Sequence, residues 1–368
     1  MLNKKYNILK IERDIFIVLT TLIAFGTVVM YSASTLMSKN SLQPTTYFLF
    51  RHLIWITAGL VFAYISFVTP ISLIKKYSKI ILLLGILIII IGILLNPTKD
   101  SSRWLIYSNG AKQITTSDFG RLALIIYISW FLDKYRKNIN ELKGVLIPFL
   151  CTVGILFLSV LRQPDFSTTI VFGIILLIML FIGGLNIKYI GGIALSTLPF
   201  AIYKIYKTPY IIARLTGFLN ENSDSNDQVD KAIMAMGSAG FFGKGLGDGL
   251  IKKGFISEIQ SDFIFSVIGE ELGFLSEMAV LFAFIFLFIR GVQLAQKAPS
   301  PFSMFLVLGI SINFIIYTII NIGYVVKLLP TTGLALPFIS YGGSHTIVSF
   351  IMVGLLFNVS NEIKKHGF

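Results

Sequence analysis

A glycine-rich loop with one lysine, followed by an acidic residue and an apolar helix, is the stretch of this chain best suited to chemistry. Residues 237–274 read GSAGFFGKGLGDGLIKKGFISEIQSDFIFSVIGEELGF, with Lys244 in the loop and Asp262 just before the helix. Two adjacent carboxylates, Glu270 and Glu271, lie inside the apolar run. Charged side chains are costly in lipid, so we expect this pair to face a polar interior or a cavity.

The composition predicts a membrane protein. Of 368 residues, 55% are hydrophobic and 13% are charged, and the mean hydropathy is +0.81, whereas a soluble domain carries roughly 25% charged residues. The formal net charge is +13, but the basic residues lie at the ends of apolar segments, which favours cytoplasmic anchoring over nucleic-acid binding. A single cysteine, Cys151, excludes an intrachain disulfide and disfavours a cysteine-rich metal site.

Apolar segments that alternate with polar loops predict an all-α polytopic fold. A spanning helix needs roughly 20 mostly apolar residues, and by that measure we predict about ten such helices. They lie at residues 15–37, 52–70, 78–96, 118–133, 145–161, 167–185, 188–203, 263–290, 303–326 and 344–360. The whole chain, 1–368, then forms one membrane domain with a long loop at 204–262 between the seventh and eighth helices.

The distribution of lysine and arginine predicts the orientation. If the N-terminus is cytoplasmic, the short inner loops carry more basic residues than the short outer loops, as the positive-inside rule requires. Both termini are then cytoplasmic, and the long loop lies outside. No internal repeat is evident, so the inverted-repeat architecture of many secondary transporters is not supported.

Several polar motifs each allow a structural and a functional interpretation. Arg103 and Trp104 suit the outer interface as anchors, and they equally suit a phosphorylated, sugar-bearing lipid. Asp118 and Arg121 are three apart, so they share a helix face and can form a pair. Asp165 follows a proline and can cap the next helix.

Two further motifs combine glycine with polar or proline-broken sequence. The loop GSAGFFGKGLG either is a flexible turn or lets its backbone approach a phosphate, although it lacks the G-K-[ST] and the strand of a Walker A loop. The stretch 327–343 is interrupted by Pro330 and Pro337, so we interpret it as a re-entrant or surface hairpin buried in protein.

Taken in order, these motifs identify the chain as similar to the SEDS (shape, elongation, division and sporulation) family of FtsW, RodA and SpoVE. The matching stretches are MYSAS at 30–34, Arg103-Trp104 with TSDFGRLAL, RQPDFST at 162–168, GSAGFFGKGLG, QSDFIFSVIGEELGF at 260–274 and LPTTGLALPFISYGGS at 329–344. Within the family, the stretches YFLFRHLIW and PTTGLALPFISYGGS resemble FtsW more than RodA.

The resemblance implies a peptidoglycan glycosyltransferase that polymerises lipid II at the outer face of the bacterial cytoplasmic membrane, for division or elongation. It also implies a class B penicillin-binding transpeptidase and other divisome or elongasome membrane proteins as partners. The family's essential aspartate falls on Asp262. This chain departs from the family at Asp118 and Arg121, where Glu and Lys are usual, at Ser167, where Gly is usual, and at His345, where Ser is usual.

This reaction needs a base and a stabilised leaving group. Asp262 at the outer face suits the general base that deprotonates a sugar hydroxyl, although it can also act as the N-cap of the helix that follows. The hydroxyl groups of Ser340 and Ser344 are further candidates for substrate contacts. The candidates to stabilise the departing pyrophosphate are Arg103, Lys112, Arg214 and Lys244. A divalent cation could share that task, but no ligand cluster specifies one.

Two other classes of function compete with the enzyme. A lipid II flippase also fits ten helices with Glu270 and Glu271 at depth, and a non-catalytic scaffold would recruit the transpeptidase. The outer position of the Asp262 motif favours the enzyme, because a flippase needs polar groups along its whole path. Purified protein in detergent, given lipid II with no membrane to cross, separates the enzyme from the transporter.

Overall fold

A computed structural model of the chain describes residues 2–40, 46–95, 104–105, 107–108, 111–112, 114–163, 165–219, 227–249 and 259–365. Within these ranges the chain is almost entirely helical. The helices are α1 (Leu2–Asn40), α2 (Tyr47–Val68), α3 (Ile71–Lys76), α4 (Ser78–Leu95), α5 (Thr116–Tyr135), α6 (Ile147–Arg162), α7 (Phe166–Ile182), α8 (Ile187–Lys207), α9 (Pro209–Leu219), α10 (Asp227–Ala239), α11 (Ile264–Leu272), α12 (Phe274–Ala295), α13 (Pro301–Val325) and α14 (Gly343–Lys365).

The predicted all-α membrane fold is confirmed. A helix occurs at each of the ten predicted segments. Seven spans among the described residues are long and apolar enough to cross a membrane: Ile8–Thr35, Tyr47–Val68, Ser78–Leu95, Leu142–Arg162, Phe274–Ala295, Pro301–Val325 and Gly343–Lys365. Helix α7 is apolar but shorter. The number of crossings therefore stays a prediction.

A small hairpin is the exception to the helical fold. Strands β1 (Tyr107–Ser108) and β2 (Ala111–Lys112) pair antiparallel in the loop between α4 and α5. A further bridge joins Trp104 to Thr115, directly before α5. This bridge holds Trp104 next to the N-terminus of α5.

Caps and sequence breaks set the helix ends. Ser300 begins α13, where its side chain accepts a hydrogen bond from the backbone N–H of Ser303 at 3.1 Å, and proline occupies the first turn. Asn186 caps α8 in the same way through the backbone N–H of Lys188. Helices α9 and α10 occupy parts of the long loop at 204–262.

The prediction of a single helix at 263–290 is wrong. The helix is broken at Gly273, which has φ +80° and separates α11 from α12. A side chain at Gly273 would collide with the carbonyl of Phe241, so the break depends on glycine for both its conformation and its space. The break lies just after the two buried carboxylates of the apolar run.

Residues 327–342 form no regular element; most of 334–341 is buried against the bundle, whereas 327–333 is half-buried or exposed. Irregular backbone of this kind is tolerated at membrane depth only where protein or a cavity surrounds it. Its buried members include Leu336 and Ile339, both fully shielded, whereas Leu328 at its start is exposed. The segment joins α13 to α14 beside the turn that carries Asp262.

Several helices of the bundle pack closely against each other. Helix α14 lies against α2, and a side chain at Gly354 would collide with the backbone of Ala63. Small residues allow two spanning helices to approach closely where no hydrophobic driving force between them exists in lipid. Helix α5 is buried nearly throughout its length, between α4 and α13.

Candidate active site

The end of α13 holds the backbone of Asp262 in place. Asp262 lies in the turn before α11, and its carbonyl accepts hydrogen bonds from Asn321 Nδ2 at 3.1 Å and from the Tyr324 hydroxyl. Asn321 Nδ2 also donates to the carbonyl of Leu334 at 2.7 Å. Both α13 side chains are buried. One pair of polar groups therefore fixes the Asp262 turn and the 327–342 segment against each other.

The carboxylate of Asp262 faces a glycine and an arginine. A Cβ atom placed on Gly333 would lie 3.1 Å from Asp262 Oδ2 and 3.9 Å from Arg214 Nη2, so both charged groups lie within 4 Å of the same point. Arg214 Nη1 also donates to the carbonyl of Thr331 at 3.0 Å. Gly333 has φ +69°, a conformation that favours glycine. A carboxyl group and a guanidinium group therefore lie close to the same stretch of bare backbone.

The alternative role of Asp262 as a helix cap does not match the geometry. Helix α11 begins at Ile264, so its N-cap position is Phe263 and not Asp262. The Asp262 side chain is half-buried rather than enclosed.

The predicted pair on α5 forms deep in the protein. Arg121 Nη2 lies 3.2 Å from Asp118 Oδ1, and the Arg121 side chain is fully buried. The guanidinium stacks over the ring of Tyr317 at 4.2 Å. His345 Nδ1 is 3.5 Å from Arg121 Nη2 and 3.6 Å from Asp118 Oδ1. His345, which departs from the family pattern, thus contacts two other residues that depart from it, Asp118 and Arg121.

Ser344 links this pair to the start of α5. Its hydroxyl donates to Asp118 Oδ2 at 2.7 Å and accepts from the backbone N–H of Thr115 at 2.8 Å. Ser340 instead closes a turn of the 327–342 segment, where its Oγ accepts from the N–H of Leu336 at 2.8 Å. The two serines predicted as substrate contacts therefore satisfy groups within the protein.

Asp165 caps α7, as one interpretation predicted. Its Oδ1 accepts from the N–H of Thr168 at 3.2 Å, and its Oδ2 accepts from the Ser117 hydroxyl at 3.0 Å. Beside it, the buried Gln163 bonds to Thr116 through its amide group. The junction between α6 and α7 is thereby tied to the first turn of α5.

The glycine-rich loop caps the break between α11 and α12. We call residues 240–245 the capping loop. The backbone N–H groups of Lys244 and Gly245 donate to the carbonyls of Glu270 and Glu271 at 3.0 and 2.9 Å. In return, Phe274 N–H donates to the carbonyl of Gly240 at 3.1 Å. The loop therefore satisfies the end of one helix and the start of the next.

This arrangement supports a structural interpretation of the loop, and its approach to a phosphate stays a prediction. Two of its amides are already bonded to helix carbonyls, and Lys244 Nζ pairs with Glu270 Oε1 at 2.9 Å. Glu271 Oε2 accepts from the Ser32 hydroxyl at 2.6 Å. Glu270 and Glu271 are both buried in this polar interior, as predicted. Lys244, predicted to bind the substrate, pairs with a buried carboxylate, and its contact with substrate stays a prediction.

The structure describes only part of the remaining candidates for substrate contacts. Arg103 and the side chain of Lys112 lie outside the described residues. Trp104 is half-buried next to the β-hairpin. Within the described ranges, no three His, Cys, Asp or Glu side chains lie together in a way that could hold a metal ion.

Asn321, Tyr324 and Gly333 belong to the site, and sequence reasoning did not single them out. A signal was present, because Asn321 and Tyr324 are polar groups three apart at the end of an otherwise apolar helix. Gly333 lies between two proline breaks, where nothing local indicates which side chain it faces.

The fold and the site define a class: a polytopic helical membrane protein with a charged site built on an irregular segment at one end of its bundle. The family model described as a cell cycle protein, for FtsW, RodA and SpoVE, matches residues 12–365, and the chain belongs to this family. The resemblance found in the motifs is confirmed.

Relatives in the family match along nearly the whole chain. The probable peptidoglycan glycosyltransferase FtsW of Trichlorobacter lovleyi is 33% identical over 370 residues, covering 99% of this chain and 97% of that protein. The stage V sporulation protein E of Bacillus subtilis is 32% identical over 359 residues, covering 95% and 98%.

Solved structures share the fold. One is a chain from a study of the structural coordination of polymerization and crosslinking by a peptidoglycan synthase complex, with a TM-score of 0.75 at 20% identity, covering 95% of this chain and 97% of that one. The rod shape determining protein RodA of Thermus thermophilus has a TM-score of 0.69 at 19% identity, covering 95% and 96%.

Proposed function

We propose that Asp262 is the general base of a glycan-polymerising reaction and that Arg214 stabilises the charge that develops beside it. The activity class follows from the family. The chain is a peptidoglycan glycosyltransferase of cell-wall synthesis, since full-length relatives at 33% and 34% identity carry that name.

The proposed substrate is lipid II, an undecaprenyl-linked disaccharide-pentapeptide. One lipid-linked sugar offers a hydroxyl group, and Asp262 accepts its proton as the oxygen attacks the anomeric carbon of the other substrate. The new glycosidic bond forms as the bond to the pyrophosphate breaks, and the pyrophosphate leaves with the electron pair. A guanidinium at the site stabilises that anion in the transition state.

One observation carries this proposal: Asp262 Oδ2 and Arg214 Nη2 both lie within 4 Å of the position that a Cβ on Gly333 would take. A base and a cation are therefore adjacent on backbone without a side chain between them. The anchoring of Asp262 through Asn321 and Tyr324 holds the carboxylate in register with the 327–342 segment.

Purified Asp262→Asn, given lipid II in detergent, tests the role of the carboxylate. General-base catalysis contributes roughly 10²–10⁴-fold, so we expect nearly all glycan-strand formation on a polymerisation gel to be lost. The melting temperature should stay that of the wild type, because Asp262 is not the cap of α11. Normal strands from the folded variant would remove Asp262 from the mechanism.

The proposal also includes the side of the membrane on which the reaction occurs and the protein partner. We place the Asp262 end of the bundle at the outer face of the bacterial cytoplasmic membrane, with both termini in the cytoplasm. A class B transpeptidase, which cross-links the strands, is the proposed partner. What supports the partner is the fold shared with a synthase complex that coordinates polymerization and crosslinking.

Labelling with an impermeant thiol reagent on intact cells tests the orientation. In a Cys151→Ser background, Asp248→Cys should be labelled and Lys137→Cys should be spared, and both positions are exposed. Labelling of Lys137→Cys alone would invert the topology and place Asp262 on the cytoplasmic side.

A further inference from the structure

The capping loop presents two adjacent aromatic side chains to its surroundings. Phe242 is 83% exposed and Phe241 is 65% exposed. Between them and the helix break, the loop backbone is held on both sides by hydrogen bonds to α11 and α12. A side chain at Gly243 would collide with the backbone of Glu271, so the loop backbone packs directly against the break.

The aromatic tip is continuous with the exposed face of a spanning helix. The ring of Phe241 packs edge-on against Phe274, the first residue of α12, with 5.9 Å between the ring centroids. Large exposed side chains then follow one face of α12 at helical spacing: Leu275, Phe282, Phe286 and Ile289. Helix α12 is long and apolar enough to cross a membrane, and an exposed apolar face of this kind suits contact with lipid.

We propose that the tip formed by Phe241 and Phe242 inserts among the lipid acyl chains of the leaflet at the Asp262 end of the bundle. The partner is the bilayer itself, because the tip extends the lipid-facing surface of α12 without a polar interruption. Two adjacent phenylalanines at such exposure would be unfavourable in water, and lipid removes that cost.

Charged side chains follow the aromatic tip in the sequence. The ammonium group of Lys244 is directed to the buried Glu270, and Asp248 is exposed a few residues beyond the tip. The loop thus divides into an aromatic part on the lipid side and a charged part on the protein and water side. Lipid contact from one side and backbone pairing from the other hold the loop on the helix break.

Spin-label accessibility in lipid nanodiscs tests the contact. In a Cys151→Ser background, a nitroxide is attached to Phe242→Cys, with Phe282→Cys as the lipid control and Asp248→Cys as the water control. At Phe242 we expect oxygen to collide with the label more than a water-soluble nickel complex does, as at Phe282. The ratio should be reversed at Asp248.

Two results would overturn the proposal. Nickel accessibility at Phe242 equal to that at Asp248 would place the tip in water. A label at Phe242 that is water-accessible in the isolated protein and shielded only when a transpeptidase is added would make the occupant a protein.

Amide hydrogen exchange tests the consequence for the helix break and does not depend on enzymatic activity. In nanodiscs, the double variant Phe241→Ser/Phe242→Ser should exchange the amides of Lys244, Gly245 and Phe274 faster than the wild type. The double variant with leucine at both positions should stay close to the wild type. Equal exchange in the serine variant and the wild type would show that lipid contact does not hold the loop.

Discussion

Replacing Asp118 by asparagine removes one charge from the buried pair on α5 and leaves the shape of the side chain nearly unchanged. The Arg121 guanidinium is fully buried at 3.2 Å from the carboxylate. At this separation and an effective dielectric constant of about 20, the attraction is about 5 kcal/mol. Breaking a buried pair by removing one partner typically costs about 3–5 kcal/mol, and we expect Asp118→Asn to lie in that range.

A double-mutant cycle separates the charge effect from packing. Arg121→Met removes the cation but keeps much of the volume over Tyr317. The variant Asp118→Asn/Arg121→Met leaves no buried charge of the pair, so its loss should be smaller than the sum of the single losses by about 1–3 kcal/mol. The free energy of unfolding in mixed micelles is the measurement, with lipid II polymerisation followed on the same samples.

A more exposed pair in the same chain is the matched control. Lys327 pairs with Asp230 Oδ1 at 2.7 Å, and the two side chains are 26% and 36% exposed. Lys327→Met should therefore cost no more than about 1 kcal/mol. Single losses at Asp118 and Arg121 as small as this control, or a strictly additive double variant, would refute the reasoning and show that the α5 pair is hydrated.

Two further substitutions test the site and the capping loop. Gly333→Ala should cost about 1–3 kcal/mol of strain and lower kcat, because φ is +69° and the new methyl lies 3.1 Å from Asp262 Oδ2. The control is Gly154→Ala on α6, where the added methyl meets open space, so kcat should stay unchanged. Lys244→Met should lower the unfolding free energy by about 1.5–3 kcal/mol with KM unchanged, since the lysine bonds to Glu270. A higher KM at unchanged stability would restore Lys244 as a substrate contact.

The sequence predicted polar contacts between residues that are near in the chain, but not those between distant residues. The spacing of Asp118 and Arg121 predicted their pair, because residues three apart on a helix share a face. The contacts of Ser344 and His345 with that pair join positions more than 200 residues apart. No local pattern encodes such contacts. Lys244 is a second example. From the sequence alone, a glycine-rich loop with a lysine is compatible with phosphate binding, and only the structure shows that the loop bonds to Glu270 and Glu271.

The sequence by itself determined the membrane fold, the helix positions and the family. A spanning helix must satisfy its own backbone and match the thickness of the bilayer, so hydropathy over a short window is sufficient to locate it. The tertiary structure alone decided the break at Gly273 and the juxtaposition of Asp262, Arg214 and Gly333. These depend on how distant segments pack, because a glycine in an apolar run becomes a break only when another loop supplies the hydrogen bonds that the helix loses there.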